Sequence, residues 1–160
     1  MAAESIRQLL QSPSPENAQA LLDDGAAVFW IDWRQEDETI ADSCELVLKT
    51  GKLSSEMVDV YHNVGGYEIH VRYGTRQAKV PLTFSEADRH LTLCTLNEVL
   101  SPDYEIRFCI ASNGSDTLGF VPLPLKDWKE LEKQFGLETV GRHFYRLNPT
   151  PNLFTDPLPF

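Results

Sequence analysis

The densest concentration of reactive groups in the chain is a run of carboxylates. Asp32, Glu36, Asp37, Glu38 and Asp42 fall within eleven residues, with Trp33 and Arg34 among them. Carboxylate oxygens this close together can ligate a divalent cation. They can also present a negative patch to a basic groove on another protein. A third role is structural, as solvated carboxylates at a helix N-terminus, where the dipole favours them. No DxDxDG loop is present, and that spacing is what wraps oxygens around one ion. Trp and Arg are enriched at binding hot spots, which makes Trp33 and Arg34 candidate anchors of a protein interface. Core burial is the competing role for Trp33.

Other reactive side chains are more scattered. His62, His70, His90 and His143 lie far apart, without HExxH, HxH or Cys–His spacing, which disfavours zinc. His70 follows Glu68 and precedes Arg72 on one polar face, an acid–base candidate, although solvation or a simple hydrogen bond is the commoner fate of such a histidine. Ser112-Asn113-Gly114-Ser115-Asp116 is not GxSxG, and its residue types are those a hairpin demands. Neither GxxxxGK[ST] nor GxGxxG occurs. No cofactor is expected. Trp30, Trp33, Tyr67 and Tyr73 could stack on bases, but their acidic surroundings argue against a nucleic-acid platform and for a place in the core.

Charge points the same way. The formal net charge is -10, with -8 of it on residues 1–60 and -2 on residues 61–160. A basic footprint for DNA or RNA is missing, whereas an acidic half favours solubility and steering toward a cationic partner. Cys44, Cys94 and Cys109 sit in apolar contexts without a CxxC, the pattern of reduced thiols in a cytosolic protein. No apolar run approaches the roughly 18 residues of a membrane span, and the N-terminus lacks the basic start of a signal peptide. At 160 residues the chain is long enough for one domain with a real core.

The elements that must position these groups follow from periodicity. Ile6, Leu9 and Leu10 mark a short amphipathic helix over residues 1–11. Ser14 and Pro15 start a second helix that Gly25 stops. Ala26–Trp33 is a short apolar run, expected as a strand buried on both faces. A helix is expected from about Glu36 to Thr50, with Ile40, Cys44, Val47 and Leu48 on one stripe. Met57, Val58, Val60 and Tyr61 support a strand within residues 53–63. Tyr67, Ile69, Val71 and Tyr73 alternate with polar residues, and Gly74-Thr75 turns the chain back along Ala78, Val80 and Leu82. Ser85 and Asp88 carry a helix-capping signature. Tyr104, Ile106, Phe108 and Ile110 alternate as a half-buried strand. Asn113-Gly114 is a turn before a returning strand at Leu118–Leu123. Leu125, Trp128, Leu131 and Phe135 form a helical stripe closed by Gly136. The segment VGRHFYRL closes the domain as a short helix or strand. Residues 148–160 hold four prolines, the mark of an extended tail that docks by its apolar residues or stays disordered. The expected fold is α+β: residues 1–147 as a single domain with a mainly antiparallel sheet of about five or six strands and helices packed against it, and residues 148–160 as the tail.

The segment DYEIRFCIASNGSDTLGFVPLPLKDWKELEKQFG, with WIDWRQEDE before it and VGRHFYRL after it, resembles immunity proteins of bacterial toxin–immunity systems. The resemblance is in particular to those encoded with contact-dependent inhibition or other polymorphic toxins, and it covers most of residues 28–147. The resemblance implies a cytosolic, non-catalytic protein that binds one cognate toxin domain and blocks its active site or substrate surface. Many such toxins are nucleases with basic clefts, which an acidic inhibitor complements. No contact residue carries over. Asp32, Trp33, Arg34, Glu36, Asp37, Glu38 and Asp42 are therefore assigned to toxin binding from charge density and residue type alone. The alternatives are a small metal-dependent hydrolase or nuclease using the carboxylates of residues 32–42, and a regulatory interaction module.

Overall fold

The computed structural model describes residues 2–160. Glu4–Gln11 (α1) and Pro15–Leu22 (α2) open the chain, the second capped as expected by the Ser14 hydroxyl, which accepts from Asn17 N at 3.0 Å. Strand β1 is Phe29–Asp32, followed by a 3-10 turn at Asp37–Thr39 and helix α3 at Ile40–Leu48. Strands β2 (Leu53–Asp59), β3 (Tyr67–Tyr73) and β4 (Arg76–Lys79) precede helix α4 (Asp88–Leu100). Strand β5 (Tyr104–Cys109), a second 3-10 turn at Ile110–Ser112, strand β6 (Thr117–Pro124), helices α5 (Leu125–Phe135) and α6 (Leu137–Gly141) and strand β7 (Phe144–Arg146) complete it.

The fold is α+β, and all strand pairing is antiparallel. The strands divide into two sheets where one was expected. A four-stranded sheet runs β1-β6-β5-β7, and a three-stranded meander runs β2-β3-β4. One face of the larger sheet, with Phe29, Ile31, Ile106, Phe108 and Phe120, shares a core with α3, α4 and the inner face of the small sheet. Its other face, with Cys109, Val121, Leu123 and Phe144, packs on α1, α2 and α5 through Ile6, Leu9, Leu21, Trp128 and Leu131.

This sandwiching corrects two expectations. Tyr104–Cys109 is not half-buried, because helices cover the face that carries Glu105, Arg107 and Cys109. Arg107 is only 2% exposed. Its guanidinium reaches the Glu105 carboxylate at 2.6 Å and Glu132 at 3.4 Å, and lies 4.3 Å from the Trp128 ring centre. Conversely, the run at Ala26–Trp33 is not buried on both faces. Only Phe29–Asp32 pairs, as the edge strand beside β6, and Trp30 remains partly exposed.

Two local corrections concern caps. The helix expected from Glu36 begins as a 3-10 turn, so α3 itself starts at Ile40 and only Asp42 lies in its first turn. Helix α4 has no side-chain cap. The buried Asp88 carboxylate turns back instead, accepting from Thr83 N at 2.7 Å and Phe84 N at 2.8 Å. Ser85 Oγ serves its own turn by accepting from Ala87 N at 3.2 Å. The explanation is the left-handed backbone at Phe84, φ 57°, which presents two amides that the helix ladder cannot use.

The tail is docked. Leu153 belongs to the main core, and Phe154 and Phe160 pack on Phe120 and Phe108 with ring centres 6.3 and 6.0 Å apart. Asn152 anchors its loop by donating from the backbone to Asp156 at 2.8 Å.

Candidate protein interface

The loop joining β1 to α3 is built by short-range hydrogen bonds. Trp33 N donates to Asp116 O at 3.1 Å, extending the β1–β6 ladder by one step. Arg34 N donates to the Asp32 carboxylate at 2.8 Å, and Gln35 N to Asp32 O at 2.9 Å. The Gln35 side-chain amide then donates to Thr39 and Ser43 at 3.0 and 2.9 Å, while the Gln35 backbone carbonyl accepts from the Arg89 guanidinium at 3.2 Å. The Asp–Arg backbone bond holds the Asp32 carboxyl below its ordinary range.

This scaffold separates the carboxylates that the sequence grouped. Glu36 and Asp42 are exposed, whereas Asp32, Asp37 and Glu38 are half-buried. Asp37 is the one turned against the protein. Burial pushes its carboxyl up to about 6 against the pull of Arg89, and Asp88, Glu38 and Glu36 push in the same direction. Among the described residues, no group of three or more His, Cys, Asp or Glu side chains is placed to hold a metal ion.

Trp33 is 50% exposed, and the Arg34 guanidinium lies 5.4 Å from its ring centre. Such a pair presents a flat apolar face with a charge at its margin. Trp33 and Arg34 also line a groove of about 900 Å³ together with the Asn113–Asp116 turn and the Leu153–Phe160 segment. The expected turn at Asn113-Gly114 thus borders the acidic loop, although the two are far apart in sequence.

The structure also brings together groups that spacing could not. His62 Nε2 and His70 Nε2 each approach the Glu68 carboxylate at 3.1 Å, and Lys79 Nζ reaches it at 3.1 Å. The bond from His70, then that from Lys79, holds the Glu68 carboxyl below its ordinary range. Strand alternation put Glu68 and His70 on one face, and pairing of His70 with Lys79 adds the lysine. Nothing in the sequence folds the loop carrying His62 back over them. His90 is buried, donates to Asn148 O at 2.5 Å and lies 3.6 Å from Cys94 Sγ. Burial pushes the Cys94 thiol up to about 11, so this cysteine is a neutral thiol near pH 7 and a poor nucleophile.

Three further residues escaped sequence reasoning. Arg89 sits between the Gln35 carbonyl and the Phe154 ring, whose centre is 5.4 Å away, and ties the acidic loop to the tail. Tyr61 and Val64, beyond the end of β2, point fully into solvent. No helix among the described residues is long and apolar enough to cross a membrane. Comparison of the chain with protein-family models, curated proteins and solved structures finds no match.

Proposed function

We propose that this chain is an immunity protein: a non-catalytic inhibitor that binds one cognate toxin domain, a nuclease with a basic cleft, and blocks its active site or substrate surface. The supporting observation is the hydrogen-bonded β1–α3 loop. It carries the exposed Glu36 and the half-exposed Trp33–Arg34 pair, and leads into the first turn of α3, where Asp42 is exposed. Its order is already fixed by folding, so association does not have to fix it again. Acidic charge steers a basic partner, and Trp33 and Arg34 supply the anchoring contact. The remaining carboxylates divide the work: Asp32 holds the turn, and half-buried Asp37 and Glu38 contribute less field than their number suggests. The place of action is the cytosol, consistent with the three free cysteines Cys44, Cys94 and Cys109.

The test uses the toxin domain encoded beside this chain. Equimolar wild-type protein should abolish its activity. Glu36→Lys with Asp42→Lys should slow association about tenfold at low salt, flatten its salt dependence and leave dissociation nearly unchanged. A toxin that remains fully active overturns the inhibitor reading, and an on-rate indifferent to both reversals removes this patch from the interface.

A further inference from the structure

We infer that the docking surface extends onto the hairpin arm between β2 and β3, whose tip inserts into an apolar hollow bordered by basic side chains on the toxin domain. This rests on the inhibitor reading above. Tyr61 is 102% exposed and Val64 93%. Isolated exposed apolar residues are ordinary. These two stand on a loop that is tightly constructed. Val60 N donates to Gly66 O at 2.9 Å. Asn63 clamps the loop from inside, donating to Tyr67 O at 2.8 Å and accepting from Gly66 N at 2.7 Å. Gly65 lies so close to the Phe84 ring that a Cβ would fall 2.0 Å from Cε1. Phe84, held at φ 57°, meets the Tyr67 ring edge-on at 5.4 Å. Glu68 grips His62 from the strand below.

The loop has therefore lost its freedom on folding, yet its two large apolar side chains stand outside the core. Rigid apolar projections of this kind bind with little further ordering cost. Charge identifies the occupant. Residues 35–60, the flank of this arm, carry seven carboxylates against two lysines. The Asp37–Thr39 turn packs directly on β2, where Ser55 Oγ donates to Glu38 O. Burial, and after it the carboxylates of Asp37, Asp88, Glu38 and Glu36, pushes the Tyr67 hydroxyl at the base of the arm above its ordinary range. A hollow that receives Tyr61 and Val64 must meet that flank, and basic side chains are what complement it. A second copy of this chain, with its own charge of -10, would oppose acid to acid.

The probe is the adjacent toxin domain, titrated at pH 7.5 against wild type, Tyr61→Ser/Val64→Ser, Tyr61→Lys and Leu137→Ser. Leu137, 72% exposed, is an apolar residue on α6. The arm variants should melt with wild type. The double variant should raise Kd about thirtyfold or more, mainly through faster dissociation. Tyr61→Lys should weaken binding further, and Leu137→Ser should stay within about twofold. A toxin bound and neutralised equally by wild type and the double variant overturns the arm and leaves the inhibitor reading intact. No binding to wild type overturns both. A wild-type dimer in light scattering that the double variant splits into monomers assigns the arm to a second copy and overturns the basic partner.

Discussion

The two sheets handle polar residues in opposite ways. In the four-stranded sheet, both faces are covered, and the polar side chain that falls inside, Arg107, is held between Glu105, Glu132 and the Trp128 ring. In the three-stranded sheet only the inner face, with Ile69, Val71 and Tyr73, is covered. Its outer face carries Glu68, His70, Arg72, Gln77 and Lys79 in a solvent-reachable network. Burial leaves the first sheet's polar groups no freedom to vary, whereas those of the second are tied only to one another. The surface able to change without disturbing the packing is therefore on the small sheet and on the acidic loop beside it.

That contrast can be broken by substitution, beginning with the buried ion pair. Arg107→Ala should cost about 3 kcal/mol or more in urea unfolding, because it leaves the Glu132 carboxylate facing a buried site without its cation and Glu105 with Arg146 alone. Retention of wild-type stability would mean that the covered face is wetter than its burial implies. On the small sheet, Gly65→Ala should cost about 2 kcal/mol, since the Phe84 ring must leave its contact with Tyr67. Hydrogen exchange should then rise at Val60 and Gly66 while β5 and β6 stay protected, and uniform loss of protection would argue that the two sheets unfold as one unit.

The smallest effect sharpens the boundary between the two regions. Asp37, raised to about 6 from an ordinary value near 3.8, takes up its proton more readily folded than unfolded. Its contribution to stability is complete below about pH 4 and is lost as pH rises through about 6. Asp37→Asn should therefore stabilise the protein by about 1 kcal/mol at pH 7.5, after allowance for partial solvent screening, and by nothing at pH 3.5. Thermal melts across that window check the sign, and a destabilised variant at pH 7.5 would show instead that the Arg89 cation dominates at this carboxylate.

What the sequence disclosed about the fold was periodic. The stripes Ile6–Leu10 and Leu125–Phe135, the alternation at Tyr67–Tyr73 and the turns at Gly74-Thr75 and Asn113-Gly114 all appear where local pattern places them. Alternation could not say that helices would cover the second face of Tyr104–Cys109, because that depends on α1, α2 and α5 arriving from elsewhere in the chain. Nor could it separate one sheet from two. Trp30 and Trp33 have the composition of a core strand, yet they fall on an edge, where one side lacks a neighbour. Within the candidate interface, charge density located the loop but not the orientation of its side chains. Asp37 and Glu36 are adjacent in sequence and differ in exposure because the 3-10 turn points one inward. Tyr61 reads as part of a strand, but β2 ends at Asp59 and leaves it, with Val64, on the loop where Gly65 meets Phe84.

Strand connectivity has a consequence for the order of assembly. The meander β2-β3-β4 joins sequence neighbours through short turns, so its loop-closure entropy is small. The larger sheet closes only when Phe29 finds Phe120, across most of the chain. The expected folding sequence is a small sheet nucleated early with α4, followed by a slow step in which β1 docks on β6 and draws the acidic loop into place. A chain folding in this order would form its arm before the β1–α3 loop is in place.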